Sequence, residues 1–381
     1  MAEIHLRGMT WDHARGFDPM VATAAHYAKN HPNVRISWEK RSLQAFADRP
    51  IEDMANIYDL MVIDHPHVGD IAHRQANAPL LLALDTVGRE RELAHLASQS
   101  VGASHPSYHF GDHQWALAID AATPVAAYRS DLLASAPQIW DEVIELARAG
   151  HVAIPLIPLN ALMTFYGLAR NQSFAIAQDD RLIDREEGRK VFADLRALTA
   201  HLDPRCYTLD PIGVYDWMAN NKNAPAYCPF AYGYSNYARK GGYPFALSFI
   251  DAPGVNNADP KGTVLGGTGI AISAHCAHRE VAVDYAFWIA GADCQKGLFF
   301  DAGGQPGHAA AWDDEACNAA CGRFFYQTRK TLETAWLRPR YRGYMQLQDR
   351  GGDIVFAALQ DHITVDQALD QLDAAYQESR S

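Results

Sequence analysis

Long apolar runs are missing from this 381-residue sequence: the strongest, around 152–156 and 270–273, are bounded by polar residues or glycine and fall far short of the ~18 residues of a membrane span. It also lacks any Lys/Arg-rich run and carries a formal charge of −12, which argues against a nucleic-acid partner and a polybasic membrane anchor. No tract is compositionally biased, and 48% hydrophobic with 20% charged residues excludes the disordered and fibrous classes. Absent too are G-x-S-x-G, Walker A, H-E-x-x-H and a dinucleotide fingerprint after the first strand, and Gly266-Gly267-Thr268-Gly269 is too short a glycine signal for phosphate. No catalytic residue, metal or cofactor is therefore expected. The opening residues, Met1 to Leu6, show no basic segment, apolar core or small-residue cleavage site. The expected location is cytoplasmic for the chain as written, and periplasmic if an export signal has been removed.

Six cysteines, at 206, 228, 276, 294, 317 and 321, are present, but a chain this long does not need disulfides to hold a core. The i,i+4 spacing of Cys317 and Cys321 suits a helix face better than a zinc knuckle. The length exceeds the ~250–300 residues at which one core stops growing, so two α/β lobes are expected.

The N-terminal third reads as strand, helix, strand, helix, strand. Ile4–Met9 forms the first strand, and a loop spans Thr10–Phe17. Asp18 then caps a helix with Pro19 at its first position, and His31-Pro32 ends it. Val34, Ile36 and Trp38 alternate with Arg35, Ser37 and Glu39 as a half-buried strand, and Leu60–Ile63 is a short buried one. Such an order predicts a parallel sheet, with ligands collecting at the carboxyl ends of its strands.

In the middle of the chain, strands are expected at Trp115–Ile119, Val125–Arg129 and Val152–Leu156. Helices are expected from Pro137, over Ala161–Arg170 and over Arg185–His201.

Two loops at strand ends carry the chemistry. Trp11, Asp12, His13 and Arg15 offer a ring, a carboxylate, an imidazole and a guanidinium; Asp64, His65 and His67 follow the Leu60–Ile63 strand, with Pro66 stiffening the backbone between the imidazoles. A third region, Tyr207 to Tyr243, is dense in rings. Any single tyrosine there is ordinary core or surface filler, but Tyr232 and Tyr234 together suit a sugar, whose C–H groups pack on flat rings while its rim accepts hydrogen bonds. His105, His109 and His113 are spaced for a helix that Pro106 and Gly111 forbid. They could still meet His65, His67 and Asp12 or Asp64 as an anion or metal site, which keeps open a cytoplasmic lyase, isomerase or hydrolase. Arg338 to Tyr344 reads as a basic, aromatic patch at a helix end.

The order of several phrases resembles the family-one extracellular solute-binding proteins, the maltose-type sugar-binding receptors of ABC importers. Trp115 to Asp120, continuing through Thr123 to Leu132, is similar to the family's crossing segment and its Y-N-K-D-L phrase. Ile139-Trp140-Asp141-Glu142 is similar to its T-W-D-E helix start. Gly266–Ser273 resembles its return strand, Glu280–Ala290 the following helix, and Gly303 to Gly307 its G-x-x-P loop. The common Gly-Gly-Trp phrase appears here as Gly266-Gly267-Thr268, which removes one stacking ring.

The resemblance implies a two-lobed periplasmic-binding-protein-like fold, with mixed sheets, helices on both faces and a hinge. One lobe would hold 1–117 and 266–312, the other 118–265 and 313–381. It further implies closure on a small-molecule ligand, a sugar, polyol or sugar acid, and ABC permease subunits as partners. Asp120, Asn236, Gly267, Thr268 and Gln305 complete the expected ligand-binding set.

Overall fold

The structure is a computed structural model, and it describes residues 3–41, 51–74, 79–178, 180–259 and 262–381. Its strands are β1 (Ile4–Trp11), β2 (Val34–Arg41), β3 (Leu60–Ile63), β4 (His109–Phe110), β5 (His113–Gln114), β6 (Leu117–Ala122), β7 (Pro124–Tyr128), β8 (Tyr227–Tyr232), β9 (Ser248–Ile250) and β10 (Gly266–Ile272). The chain divides into two units, Met1–Ala122 with Gly266–Cys317, and Thr123–Leu265 with Asn318–Ser381. The first boundary follows β6, which stays paired to β10 as far as Ala122.

The first unit is built on a five-stranded mixed sheet in the order β2-β1-β3-β10-β6. β1 is parallel to both β2 and β3, whereas β10 runs antiparallel to β3 and β6. The two central strands leave no polar face: every residue of β3 is buried, as is β10 from Thr268 onward. On β2 the alternation holds, with Val34, Ile36 and Trp38 in the core and Arg35 and Glu39 exposed. The helix Arg279–Ala290 covers one region of this sheet, bringing Tyr285 between Tyr27 and Trp38.

The first helix, α1 (Ala14–Asn30), begins a turn earlier than its sequence signals suggest. His13, not Asp18, is its N-cap: the imidazole Nδ1 accepts from the Arg15 backbone N–H at 3.1 Å. Pro19 consequently lies inside the helix, where it lacks a donor for the previous turn. A helix anchored by burial of Arg15, Met20, Ala24 and Tyr27 tolerates that loss. The expected loop over Thr10–Phe17 thus shrinks to Asp12 and His13, which places Arg15 in the first turn.

The second unit contains the antiparallel sheet β8-β7-β9 and is otherwise mainly helical. Two expectations change here. Pro137 precedes its helix, which starts at Trp140, because the Glu142 carboxylate reaches back to the backbone N–H groups of Gln138 and Ile139. Residues 152–156 form no strand; Val152 makes one parallel bridge to Tyr227, and the apolar run reflects burial rather than ladder pairing. Pro158–Asn171 and Arg185–Thr199 are helices, close to the expected limits.

Candidate functional site

The carboxyl ends of β1, β3 and β6 and the start of β10 lie along one edge of the first unit's sheet. β10 is antiparallel to both neighbours, so Gly269 pairs with Ile63 on one side and Thr268 with Asp120 on the other. Trp11, Asp12, His13, Arg15, Asp64, His65, His67, Asp120, Gly267 and Thr268 therefore share this edge. Gln305 joins it from a loop, donating from Nε2 to the Ala121 carbonyl at 2.9 Å while its own carbonyl accepts from the Ala121 N–H.

Much of this polar set is spent on itself. Arg15 binds both oxygens of Asp120, at 2.7 and 2.5 Å, in a pair with almost no exposure. Burial pushes the Asp120 carboxyl above its ordinary range, and the guanidinium pulls it back. The Trp11 ring is core: it lies so close to Gly16 that a Cβ there would come within 2.3 Å of the indole. Asp12 is exposed and paired to Lys40 at 2.6 Å. Asp64 caps the turn His65–His67, accepting from the His65 N–H at 2.8 Å, and lies 3.1 Å from His65 Nδ1. His65 and His67 are buried, with the Tyr108 ring standing edge-on to His65.

Two groups at this edge have chemistry that suits a hydroxylated ligand. The His13 imidazole is held down to about 4, first by burial and then by the nearby Arg15 cation, so it is neutral at physiological pH. Thr268 is 8% exposed, and its buried hydroxyl has no hydrogen-bond partner among the described residues. A buried hydroxyl left without a partner is uncommon and marks a place where a ligand or water completes the site.

Gly267 holds the geometry. Its φ of +98° is one that side chains rarely adopt, and a Cβ would sit 2.4 Å from the Asp120 carbonyl oxygen. The close approach of β10 to β6 at this point fixes where Thr268 stands relative to Asp120. Tyr108, which sequence reasoning passed over, reinforces the same edge by donating its hydroxyl to the Ile63 carbonyl at 3.1 Å. Only its distant partner reveals that role, so no local signal could have found it.

In the second unit the aromatic density resolves into mostly core packing. Tyr215, Tyr227 and Tyr237 are fully buried, and Tyr234 is 7% exposed with its ring edge-on to Tyr215. Tyr237 donates to Asp216 at 2.8 Å and stacks on Tyr243. Tyr232, at the end of β8, and Asn236, in the turn Ser235–Ala238, keep partial exposure. The basic patch is only partly a surface feature: Arg338 is 4% exposed and donates to Gln348 at 2.7 Å, burial lowers the pKa of Arg340, and Arg342 is exposed.

The histidine-based metal site does not assemble. His113 pairs with Asp85 at 2.9 Å on the β4–β5 hairpin, and burial drives His105 down to about 4. No group of three or more His, Cys, Asp or Glu residues is arranged to hold a metal ion among the described residues. No helix described is long and apolar enough to cross a membrane.

No protein-family model matches the chain, and no curated protein matches it in sequence. Its structure, by contrast, is similar to solved solute-binding proteins over nearly its whole length. Against maltose-bound MalE3 of Thermotoga maritima the TM-score is 0.82 at 15% identity, covering 98% of this chain and 99% of that one. Against the ABC transporter solute-binding protein of Agrobacterium radiobacter K84 in complex with ribitol it is 0.82 at 19% identity, covering 99% of each. Against the corresponding protein of Thermotoga lettingae, bound with α-D-tagatose, it is 0.80 at 14% identity, covering 100% of each. With its mixed sheets and covering helices, the chain has the periplasmic-binding-protein-like fold of these solute-binding proteins.

Proposed function

We propose that this protein is a solute-binding protein that takes up a small neutral sugar or polyol for an ABC-type importer. The observation that carries the reading is the unpartnered Thr268 hydroxyl on the carboxyl edge of a sheet whose structural relatives are recorded with maltose, ribitol and tagatose. Around it, Asp64 supplies a carboxylate and His13 a neutral imidazole. Asp12, His65, His67, Gly267 and Gln305 are assigned as supporting groups; in the second unit Tyr232 and Asn236 keep the exposure that a ligand contact needs, whereas Tyr234 is packed among other rings.

Charge narrows the ligand class. Arg15 is neutralised by Asp120 and Lys40 by Asp12, so neither of these two cations is poised for a carboxylate. A neutral polyhydroxylated solute fits better than a sugar acid. Closure on the ligand and delivery to permease subunits belong to the same proposal. An enzyme reading has no comparable support, because the histidines that motivated it are dispersed into structural roles.

The test is thermal unfolding of the purified protein against maltose, ribitol, D-tagatose, D-mannitol and a set of sugar acids. A ligand that binds only the folded state raises the melting temperature. Stabilisation by a neutral member, lost in Thr268→Val, is expected; a flat response to the whole panel removes the proposal.

A further inference from the structure

The outer edge of the first unit's sheet points to a second binding surface, one that takes another copy of this chain. β2 is an edge strand: among the described residues it pairs only with β1. The backbone bonds Ile4 N–H to Asn33 C=O and Asp12 N–H to Arg41 C=O, with the register between them, turn the odd-numbered residues of β2 toward β1. The backbone groups of Ile36, Trp38 and Lys40 and the Val34 carbonyl therefore face outward, as a template for a further strand, while the Val34 N–H is already bonded to the His31 carbonyl at 2.8 Å. Beside this edge runs an apolar groove of about 410 Å³ between β2 and α1, lined by Val21, Ala25, Ala28, Ile36 and Trp38. Val21 is one of three large hydrophobic side chains left exposed among the described residues, at 44%.

We propose that two copies associate through antiparallel pairing of β2 with β2, about a two-fold axis through Ser37. The argument is one of register. Opposed residues in an antiparallel pair share a face, so a two-fold axis normal to the sheet must pass through a residue position. An axis at Ser37 sets Ile36 against the partner's Trp38, where both residues exchange their backbone bonds, and Val34 against the partner's Lys40, where the Val34 carbonyl accepts from the N–H of the partner's Lys40. It also sets Arg35 directly against the partner's Glu39, twice. These are non-hydrogen-bonded positions, where side chains approach most closely.

Neighbouring registers lose this match. An axis at Trp38 opposes Arg35 to Arg41, and one at Ile36 opposes Glu39 to Asn33. Glu39 already accepts from Arg7 at 3.0 Å and from the Tyr58 hydroxyl at 2.8 Å, so it is held in place to receive a second cation. Arg35 is exposed and has no ion-pair partner among the described residues. The same axis keeps both α1 helices on one side of the joined sheet, where their grooves face each other and Val21 is covered.

Cross-linking of the full-length chain tests the register directly. Opposed non-hydrogen-bonded residues lie about 4.5 Å apart at Cα, within the range of a disulfide. Ser37→Cys should form a reducible covalent dimer under mild oxidation. Arg35→Cys should not, because its own copy lies roughly 13 Å along the strand. Sedimentation of the unmodified protein should show a monomer–dimer equilibrium that Arg35→Glu weakens by about tenfold or more, with unchanged thermal unfolding. A protein that stays monomeric at every concentration, and so leaves the edge to a different partner, overturns the proposal. So does a dimer indifferent to Arg35→Glu, or Ser37→Cys cross-linking no better than Arg35→Cys.

Discussion

Arg15 and Asp120, 105 residues apart in the chain, meet through two hydrogen bonds of 2.7 and 2.5 Å and are almost wholly buried. The pair clasps the first turn of α1 to the end of β6. Removing one partner leaves an uncompensated buried charge, so Arg15→Ala or Asp120→Asn should cost ~3–5 kcal/mol in urea unfolding. The double replacement Arg15→Met with Asp120→Leu should cost clearly less than the two single losses combined, because it removes both charges together. A loss below ~1 kcal/mol for Asp120→Asn, the level of a surface pair, would show that the clasp is not structural.

Gly267 and Gly241 separate strain from crowding. Both have positive φ, +98° and +76°, but only Gly267 has backbone atoms in the way of a Cβ. Gly241→Ala should lose ~1 kcal/mol from conformation alone. Gly267→Ala should lose appreciably more, with parting of β10 from β6 visible as faster amide exchange at Thr268. Equal losses at the two positions would contradict the close approach.

Acid should destabilise the first unit through its buried imidazoles. His13 and His105 are both held down to about 4, burial being the main cause, against an ordinary value near 6.5. Above 6.5 both folded and unfolded chains carry neutral rings and the contribution is intact. As pH falls from 6.5 toward 4 the unfolded chain takes up protons that the folded chain refuses, and stability drops. Each ring accounts for at most ~3 kcal/mol. Unfolding free energies measured across this window should flatten in His105→Gln, and an unchanged slope would exclude His105 as a source.

Tyr232 and Tyr234 should divide cleanly between binding and folding. Tyr234 is packed among other rings, so Tyr234→Ala should lose ~3 kcal/mol of stability. Tyr232→Ala, at a partly exposed strand end, should change stability by less than ~1 kcal/mol while reducing the ligand-induced rise in melting temperature. The reverse pattern would place the ligand contact at Tyr234.

The strands of the first unit were legible because their side chains follow local rules. β2 shows a period of two, β3 is a short buried run, and both end in polar loops, which is enough to place Asp64 and the residues after Trp11 at the carboxyl edge. The start of α1 was not legible, since Asp18 carries the ordinary capping signal while His13, which caps the helix, does not, and the packing of Arg15 onto Asp120 accompanies the earlier start. The aromatic stretch misled for the same reason: a tyrosine's composition is identical whether its ring meets a ligand or, like Tyr237, an aspartate and another ring.

The sequence alone determined the class of fold, the absence of a strongly basic surface stretch, and which residues end which strands, because each depends on neighbours a few positions away. Tertiary structure decided which polar groups are already satisfied. Arg15, Trp11 and Gln305 are consumed by Asp120, Gly16 and Ala121, whereas the Thr268 hydroxyl is not. Hydrogen-bond saturation is a property of atoms brought together from distant positions, and the insertion of β10 between β3 and β6 is what brings them there.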